Sequence, residues 1–230
     1  MELNRLKSAV SVLLVGTAFA AALQANVYNA VSDFPISATN PNGVWSYWVM
    51  DSVGTQGFTS AQFTSNPGLA GGGTASGYVD TADTAILRNM STGDINYLGT
   101  TWPNSLLLLH PGTGGQYSVV RFTAPNTGQY QIAALFVGLN SETSSDVHVV
   151  VSSDHSDHTA NISGTQQNNF VINATLQTGD TIDFTVGNSG TSNIGDSTGF
   201  NALITPEPGF YGLLALGLAG LGAAVIRRHK

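Results

Sequence analysis

The 230-residue sequence contains no cysteine, which excludes disulfide frameworks, thiolate zinc sites, iron–sulfur clusters and cysteine nucleophiles together. Charge is also scarce: Asp, Glu, Lys and Arg make up 9% of the residues, against about 25% in ordinary globular chains. Positive charge is scarcest of all. Residues 26–204 hold twelve acidic side chains but only Arg88 and Arg121, a net charge of −10, and every lysine lies outside that stretch. Such a surface repels phosphate backbones and anionic headgroups, so this stretch is expected to bind neither nucleic acid nor an anionic lipid surface. No part of it shows sustained 3.6-residue apolar periodicity, which argues against helices. With 42% hydrophobic residues the chain can nevertheless bury a core, and its length suits one main domain.

The two ends are different in kind. Arg5 and Lys7 precede an uncharged stretch, 8–22, rich in Ala, Val and Leu. This is the outline of a secretory signal peptide over 1–25, with cleavage after Ala25 or, by the small-x-small pattern, after Ala22. At the other end Pro206-Glu207-Pro208 is followed by 17 uncharged residues, 210–226, and then Arg227-Arg228-His229-Lys230. Leu213, Leu214, Leu216, Leu218, Leu221 and Val225 leave no polar face on a helix over 210–226, and the run meets the lower limit for crossing a bilayer. Basic residues directly after the run predict a cytoplasmic C-terminus, with the middle of the chain exported through the inner membrane.

The Pro-Glu-Pro motif, the glycine-rich apolar span and the terminal arginine pair together resemble the PEP-CTERM sorting signal, over residues 205–230. The resemblance implies an exosortase-type membrane processing enzyme as partner, with Pro206, Glu207, Pro208, Arg227 and Arg228 as recognition residues. It also implies transient membrane anchoring, cleavage near Glu207, and a destination at the cell surface or in an exopolysaccharide or biofilm matrix. Thr205 stands where the common form of the motif has Val.

Between the signals, 26–204 reads as short strands separated by turn clusters. Expected strands cover 44–50, 106–110, 117–123, 129–137, 170–176 and 200–204. Alternation places Tyr130, Ile132, Ala134 and Phe136 on one face, and likewise Val147, Val149 and Val151, and Ile182, Phe184 and Val186. Pro125, Asn126 and Gly128 predict a hairpin joining 117–123 to 129–137. The glycine-rich segment 64–77 is expected to be a long loop. Eight or nine antiparallel strands at this spacing predict an all-β, two-sheet sandwich, with a jelly roll as first choice. Residues 106–204, with His110-Pro111-Gly112 and Asp196-Ser197-Thr198-Gly199, are similar to a sandwich module recurring in PEP-CTERM proteins. Asn40-Pro41-Asn42-Gly43-Val44-Trp45-Ser46-Tyr47 resembles its opening motif, departing from it at Trp48. That resemblance implies a galactose-binding-like or carbohydrate-module-like sandwich, without a ligand.

Sugar rings stack on exposed aromatic faces and are held by amide and carboxylate hydrogen bonds. Trp102 and Trp48, with Asn104, are therefore candidate ligand contacts. Arg121 is a further candidate, with a structural ion pair as its competing role. Asp180, Asp183 and Asp196 are candidate ligands for a structural calcium ion, with no other cofactor expected. Asp154-His155-Ser156-Asp157-His158 reads as a solvated acidic turn rather than a metal site. Asn89, Asn161 and Asn173 match the acceptor pattern for N-linked sugars. Gly195-Asp196-Ser197 lacks the strand-to-helix setting and the downstream histidine that an esterase nucleophile needs. No catalytic set can be paired from spacing. The sequence therefore favours a noncatalytic exported surface or matrix protein, with a specific, calcium-dependent or independent carbohydrate-binding module as the alternative and a hydrolase third.

Overall fold

A computed structural model of the protein describes residues 26–35, 40–53, 59–60, 63–69, 73–79, 82–97 and 99–207. The chain divides into Tyr28–Ile204 and a second unit formed by Met1–Val27 with Thr205–Lys230. The signal peptide expected at 1–25, the spanning segment at 210–226, and Pro208, Arg227 and Arg228 lie outside the described residues. Within them, Pro206 closes the last strand and Glu207 follows it, exposed. Among the described residues no helix is long and apolar enough to cross a membrane.

The alternating apolar pattern folds into strands, as the period of two requires. Among the described residues sixteen strands form: β1 (Tyr28–Asn29), β2 (Trp45–Met50), β3 (Thr59–Ser60), β4 (Phe63–Leu69), β5 (Gly73–Val79), β6 (Ala85–Asn89), β7 (Ile95–Tyr97) and β8 (Thr100–Trp102). They continue as β9 (Leu107–His110), β10 (Tyr117–Thr123), β11 (Gly128–Gly138), β12 (Ser144–Val151), β13 (Ser156–Ser163), β14 (Gln167–Leu176), β15 (Thr181–Gly187) and β16 (Thr198–Pro206). The larger sheet runs β14-β11-β16-β9-β6-β5-β4, with β1 paired to β16. The smaller runs β13-β12-β15-β10-β2-β3, and β7-β8 stands alone as a two-stranded sheet. Within β9–β16 the orders 9-16-11-14 and 10-15-12-13 are the double Greek key of a jelly roll.

Two sequence expectations are corrected. β10 and β11 do not form a hairpin, because β10 pairs with β2 and β15 while β11 pairs with β14 and β16. The intervening turn instead carries the chain from one sheet to the other, tied at Ala124 N to Asp180 O and at Gly179 N to Ala124 O. The glycine-rich segment expected to be a loop over 64–77 instead supplies strand at 64–69 and 73–77, parts of the paired β4 and β5. Its glycine has a strand role: a Cβ on Gly77 would run into Ile86 O and lie 2.8 Å from Leu87 Cα, so β5 can approach β6 only without a side chain there.

The core lies between the two sheets and uses the expected inward faces, including Tyr130, Ile132, Phe136, Val147, Val149, Ile182 and Phe184. A chain of rings links the sheets: Trp45 to Phe184 at 6.4 Å, Phe184 to Phe200 at 5.1 Å, and Phe200 to Phe136 at 5.1 Å. Such pairs add about 0.5–1.5 kcal/mol each beyond the area they bury. The 40–47 motif supplies the polar joinery at one edge. The Asn40 side chain accepts from Tyr47 N (3.0 Å) and donates to Tyr47 O (2.6 Å), standing in for a strand partner. Trp45 Nε1 donates to Asp33 Oδ2 at 3.2 Å. Asn89 is 2% exposed with its amide donating to Gly93 O and Trp102 O, which removes it from the three glycosylation candidates, while Asn161 and Asn173 are exposed.

Candidate functional site

A second apolar cluster lies apart from the main core. Ala75, Ile95, Trp102, Leu106, Leu108 and Leu139 form it, with Leu87, Leu135 and Val137 packed alongside. Leu87 and Leu108 pair across β6 and β9, and Val137 lies on β11. These residues alternate with the core-facing Ile86, Leu107, Leu109 and Phe136, so they occupy the outer face of the larger sheet. The β7–β8 hairpin folds over that face and roofs part of it. Trp102 secures the hairpin: its indole is 2% exposed and donates from Nε1 to Leu106 O at 3.0 Å.

Beside the hairpin is a cleft of about 530 Å³, lined by Ala85, Leu87, Ile95, Trp102 and Leu108 below and by Asp83, Tyr97, Thr100, His110, Asn140, Glu142 and Ile194 around it. Tyr97 and Ile194 are exposed, at 39% and 76%. The cleft's walls are stapled to each other. Asn140 Oδ1 accepts from Glu142 N (3.0 Å), and Thr101 N donates to Leu139 O (3.1 Å), joining the 139–143 loop to the hairpin. Thr143 Oγ1 donates to Gly195 O at 3.1 Å, joining the same loop to 193–197. Gly195 is required where it stands, since its φ is +84° and a Cβ would lie 2.9 Å from Glu142 Cβ. His110 Nδ1 lies 2.9 Å from Pro111 O, and a carbonyl can only accept, so Nδ1 carries a proton and donates it there.

The ligand contacts proposed from sequence do not converge. Trp102 enters the cleft as buried wall, not as an exposed platform. Asn104 is exposed and donates to Ser91 O at 3.3 Å. Trp48 and Arg121 project from the outer face of the smaller sheet, where Trp48 Nε1 donates to Ser46 Oγ at 2.7 Å. Arg121 faces Asp183 across β10–β15 and holds it with two parallel bonds, Nε to Oδ1 at 2.6 Å and Nη2 to Oδ2 at 2.8 Å. Its role is the ion pair.

The three calcium candidates serve three separate structures. Asp180 accepts from Gln177 N in its own turn, Asp183 holds Arg121, and Asp196 is fully buried with Oδ1 accepting from Ser144 N at 2.6 Å. Among the described residues no three His, Asp or Glu side chains are grouped to hold a metal ion, so Asp180, Asp183 and Asp196 do not form one such group. Burial raises the Asp196 carboxyl above the usual range, although the Ser144 N–H bond acts against it, and Oδ2 has no hydrogen-bond partner.

Sequence reasoning also missed a polar cluster on the smaller sheet. Asp157, read as part of a solvated turn, belongs to β13 and reaches His148 Nδ1 at 3.1 Å from both oxygens. His148 Nε2 lies 3.1 Å from Asp146 Oδ2, which also accepts from Tyr117 OH at 2.7 Å. Carboxylates here only accept, so both ring nitrogens are best served as donors. Burial alone would lower the His148 pKa, but the bonds to Asp146 and Asp157 raise it above the ordinary value. Burial would likewise raise Asp146, and the bonds from His148, Tyr117 and Ser189 N instead bring it down to about 2. Tyr117 is pushed up by burial and by its bond to Asp146.

No protein-family model matches the chain, and no curated protein matches it in sequence. Solved structures with some likeness include the CBM51 module of a Clostridium perfringens GH95 protein in complex with methyl-galactose, at 12% identity and TM-score 0.36, covering 78% of this chain and 99% of that one. A family 35 carbohydrate-binding module from Clostridium thermocellum aligns at 15% identity and TM-score 0.30, over 69% and 90% of the two chains. The enzymatically active domain of bacteriophage CBA120 tailspike protein 4 aligns at 8% identity and TM-score 0.31; 72% of this chain is covered but only 20% of the tailspike. At these TM-scores the likenesses carry no argument, and the functional reading rests on the cleft.

Proposed function

We propose that this protein is a noncatalytic, exported carbohydrate-binding protein whose ligand lies in the cleft beside the β7–β8 hairpin. The observation that carries the reading is the cleft itself: about 530 Å³, with an apolar base, an exposed Tyr97 and several polar groups converging from three loops. A sugar ring has an apolar face and a hydroxyl edge, and this combination answers both. Export and attachment follow from the ends: the signal-peptide outline at 1–25 delivers the body outward, and an exosortase-type enzyme acts at Pro206-Glu207-Pro208. Retention in an extracellular polysaccharide matrix is the biological setting this combination supports.

The test is a glycan array probed with the full-length protein, followed by titration of the best ligand against Tyr97→Ala. Saturable binding weakened about tenfold by the substitution, roughly 1.4 kcal/mol, is expected. Binding to no glycan would overturn the reading. A hydrolase is the second reading, because Asp83 and Glu142 line the same cleft. Prolonged incubation with the bound glycan is expected to release no shorter products, and their appearance would favour the hydrolase.

A further inference from the structure

We infer that the ligand of this cleft is a polysaccharide bearing free amines, recognised as an ammonium sugar rather than a neutral or acidic one; the inference rests on the carbohydrate-binding reading above. Three features meet at the cleft. Asp83 and Glu142, both exposed, supply carboxylates, and no lysine or arginine stands among the lining residues. The two arginines of 26–204, the only lysine or arginine side chains there, are used elsewhere: Arg121 is held by Asp183, and Arg88 donates to Phe34 O at 3.3 Å. Tyr97 offers an exposed aromatic ring beside them, and an aromatic face attracts an ammonium group as well as a sugar face.

Asp83 and Glu142 both line the cleft. Asp83 holds its backbone at φ 63°, a conformation a non-glycine side chain adopts at a cost, two residues before β6. Glu142 follows Asn140, whose side-chain oxygen holds its N–H, and Gly195 leaves its stem room. Contrast the carboxylates of the smaller sheet. Asp183 has Arg121, and Asp146 has His148 and Tyr117, so their charge is answered within the fold. In the cleft the lining residues leave that answer to the ligand. An anionic polysaccharide would meet two carboxylates inside a body of net charge −10, and a neutral one would leave both without an ionic partner. An ammonium sugar places a charge-assisted donor against each.

The experiment titrates the full-length protein with a β-linked glucosamine hexamer, its fully N-acetylated counterpart and an oligogalacturonate. It is run at mildly acidic pH, where the sugar amines are protonated, and at two salt concentrations. The glucosamine hexamer is expected to bind about tenfold more tightly than the acetylated one. The advantage should shrink at high salt, and the oligogalacturonate should not bind. Glu142→Gln and Asp83→Asn should each reduce the ratio of the two affinities severalfold. Asn tolerates the backbone conformation at 83, and thermal melts of both variants verify folding. Equal affinity for the two hexamers, or preference for the acetylated one, overturns the inference and leaves carbohydrate binding standing. Preference for the acidic oligomer overturns it as well. Failure to bind any of the three or any arrayed glycan overturns both.

Discussion

The outer faces of the two sheets treat polar side chains in opposite ways. On the smaller sheet they answer one another: Arg121 with Asp183, and His148 with Asp146, Asp157 and Tyr117. On the larger sheet the outer face is apolar where the β7–β8 hairpin covers it, and Asp83, His110 and Glu142 border an open cleft. Polar groups matched within the fold stabilise it, and groups aimed into a concavity are available to a ligand. The sequence has acidic, aromatic and imidazole residues on both faces, so composition does not separate these uses.

Substitutions that act on only one face test the contrast. The largest effect is expected from Trp102→Ala, which empties the second cluster and frees the hairpin. A loss of about 4 kcal/mol in denaturant unfolding should accompany loss of glycan binding, since the cleft wall goes with it. Arg121→Met should cost about 3 kcal/mol by leaving the buried Asp183 carboxylate without its partner, while glycan affinity stays unchanged. If Arg121→Met weakened binding as much as folding, the two faces would not be independent.

The smallest effect is a pH profile. His148 has a raised pKa in the fold, so its contribution is fully present below about pH 6.5 and is lost as pH rises through the folded value. Asp146 has a lowered pKa, so its contribution is present above about pH 4 and is lost as pH falls toward 2. Melting temperature should therefore be highest between these limits. His148→Gln should flatten both flanks, removing the alkaline loss directly and weakening the acid one through Asp146. An unchanged profile would show that the cluster does not contribute to stability.

Much of the jelly roll was legible because alternation is a local signal. The Tyr130–Phe136 and Ile182–Val186 patterns show which face is dry wherever the strands are placed. What alternation cannot give is the partner. The 124–128 turn has hairpin chemistry, yet the chain crosses between sheets there, because Val120 and Phe122 bury against the facing sheet while β10 finds β2 and β15. Short or glycine-rich strands such as β4, β5, β7 and β8 carry little periodicity, and their pairing depends on what the larger sheet offers them. The site was illegible for the same reason. Tyr97, Asn140 and Glu142 are unremarkable in sequence and lie on segments far apart in the chain.

The amino-acid sequence by itself determined the class of fold, the inward faces of the long strands, the acidic and cation-poor character of the body, and the contrasting ends. These follow from local periodicity and from counting. Only the tertiary structure decided that Trp102 is a buried prop, that Arg121 and His148 are answered within the fold, and that Asp83, Tyr97 and Glu142 share a cleft. Most of these depend on which distant strands come to lie side by side, as β10 does with β15 for Arg121 and Asp183. That choice is made by packing across the whole sandwich, and no window of sequence contains it.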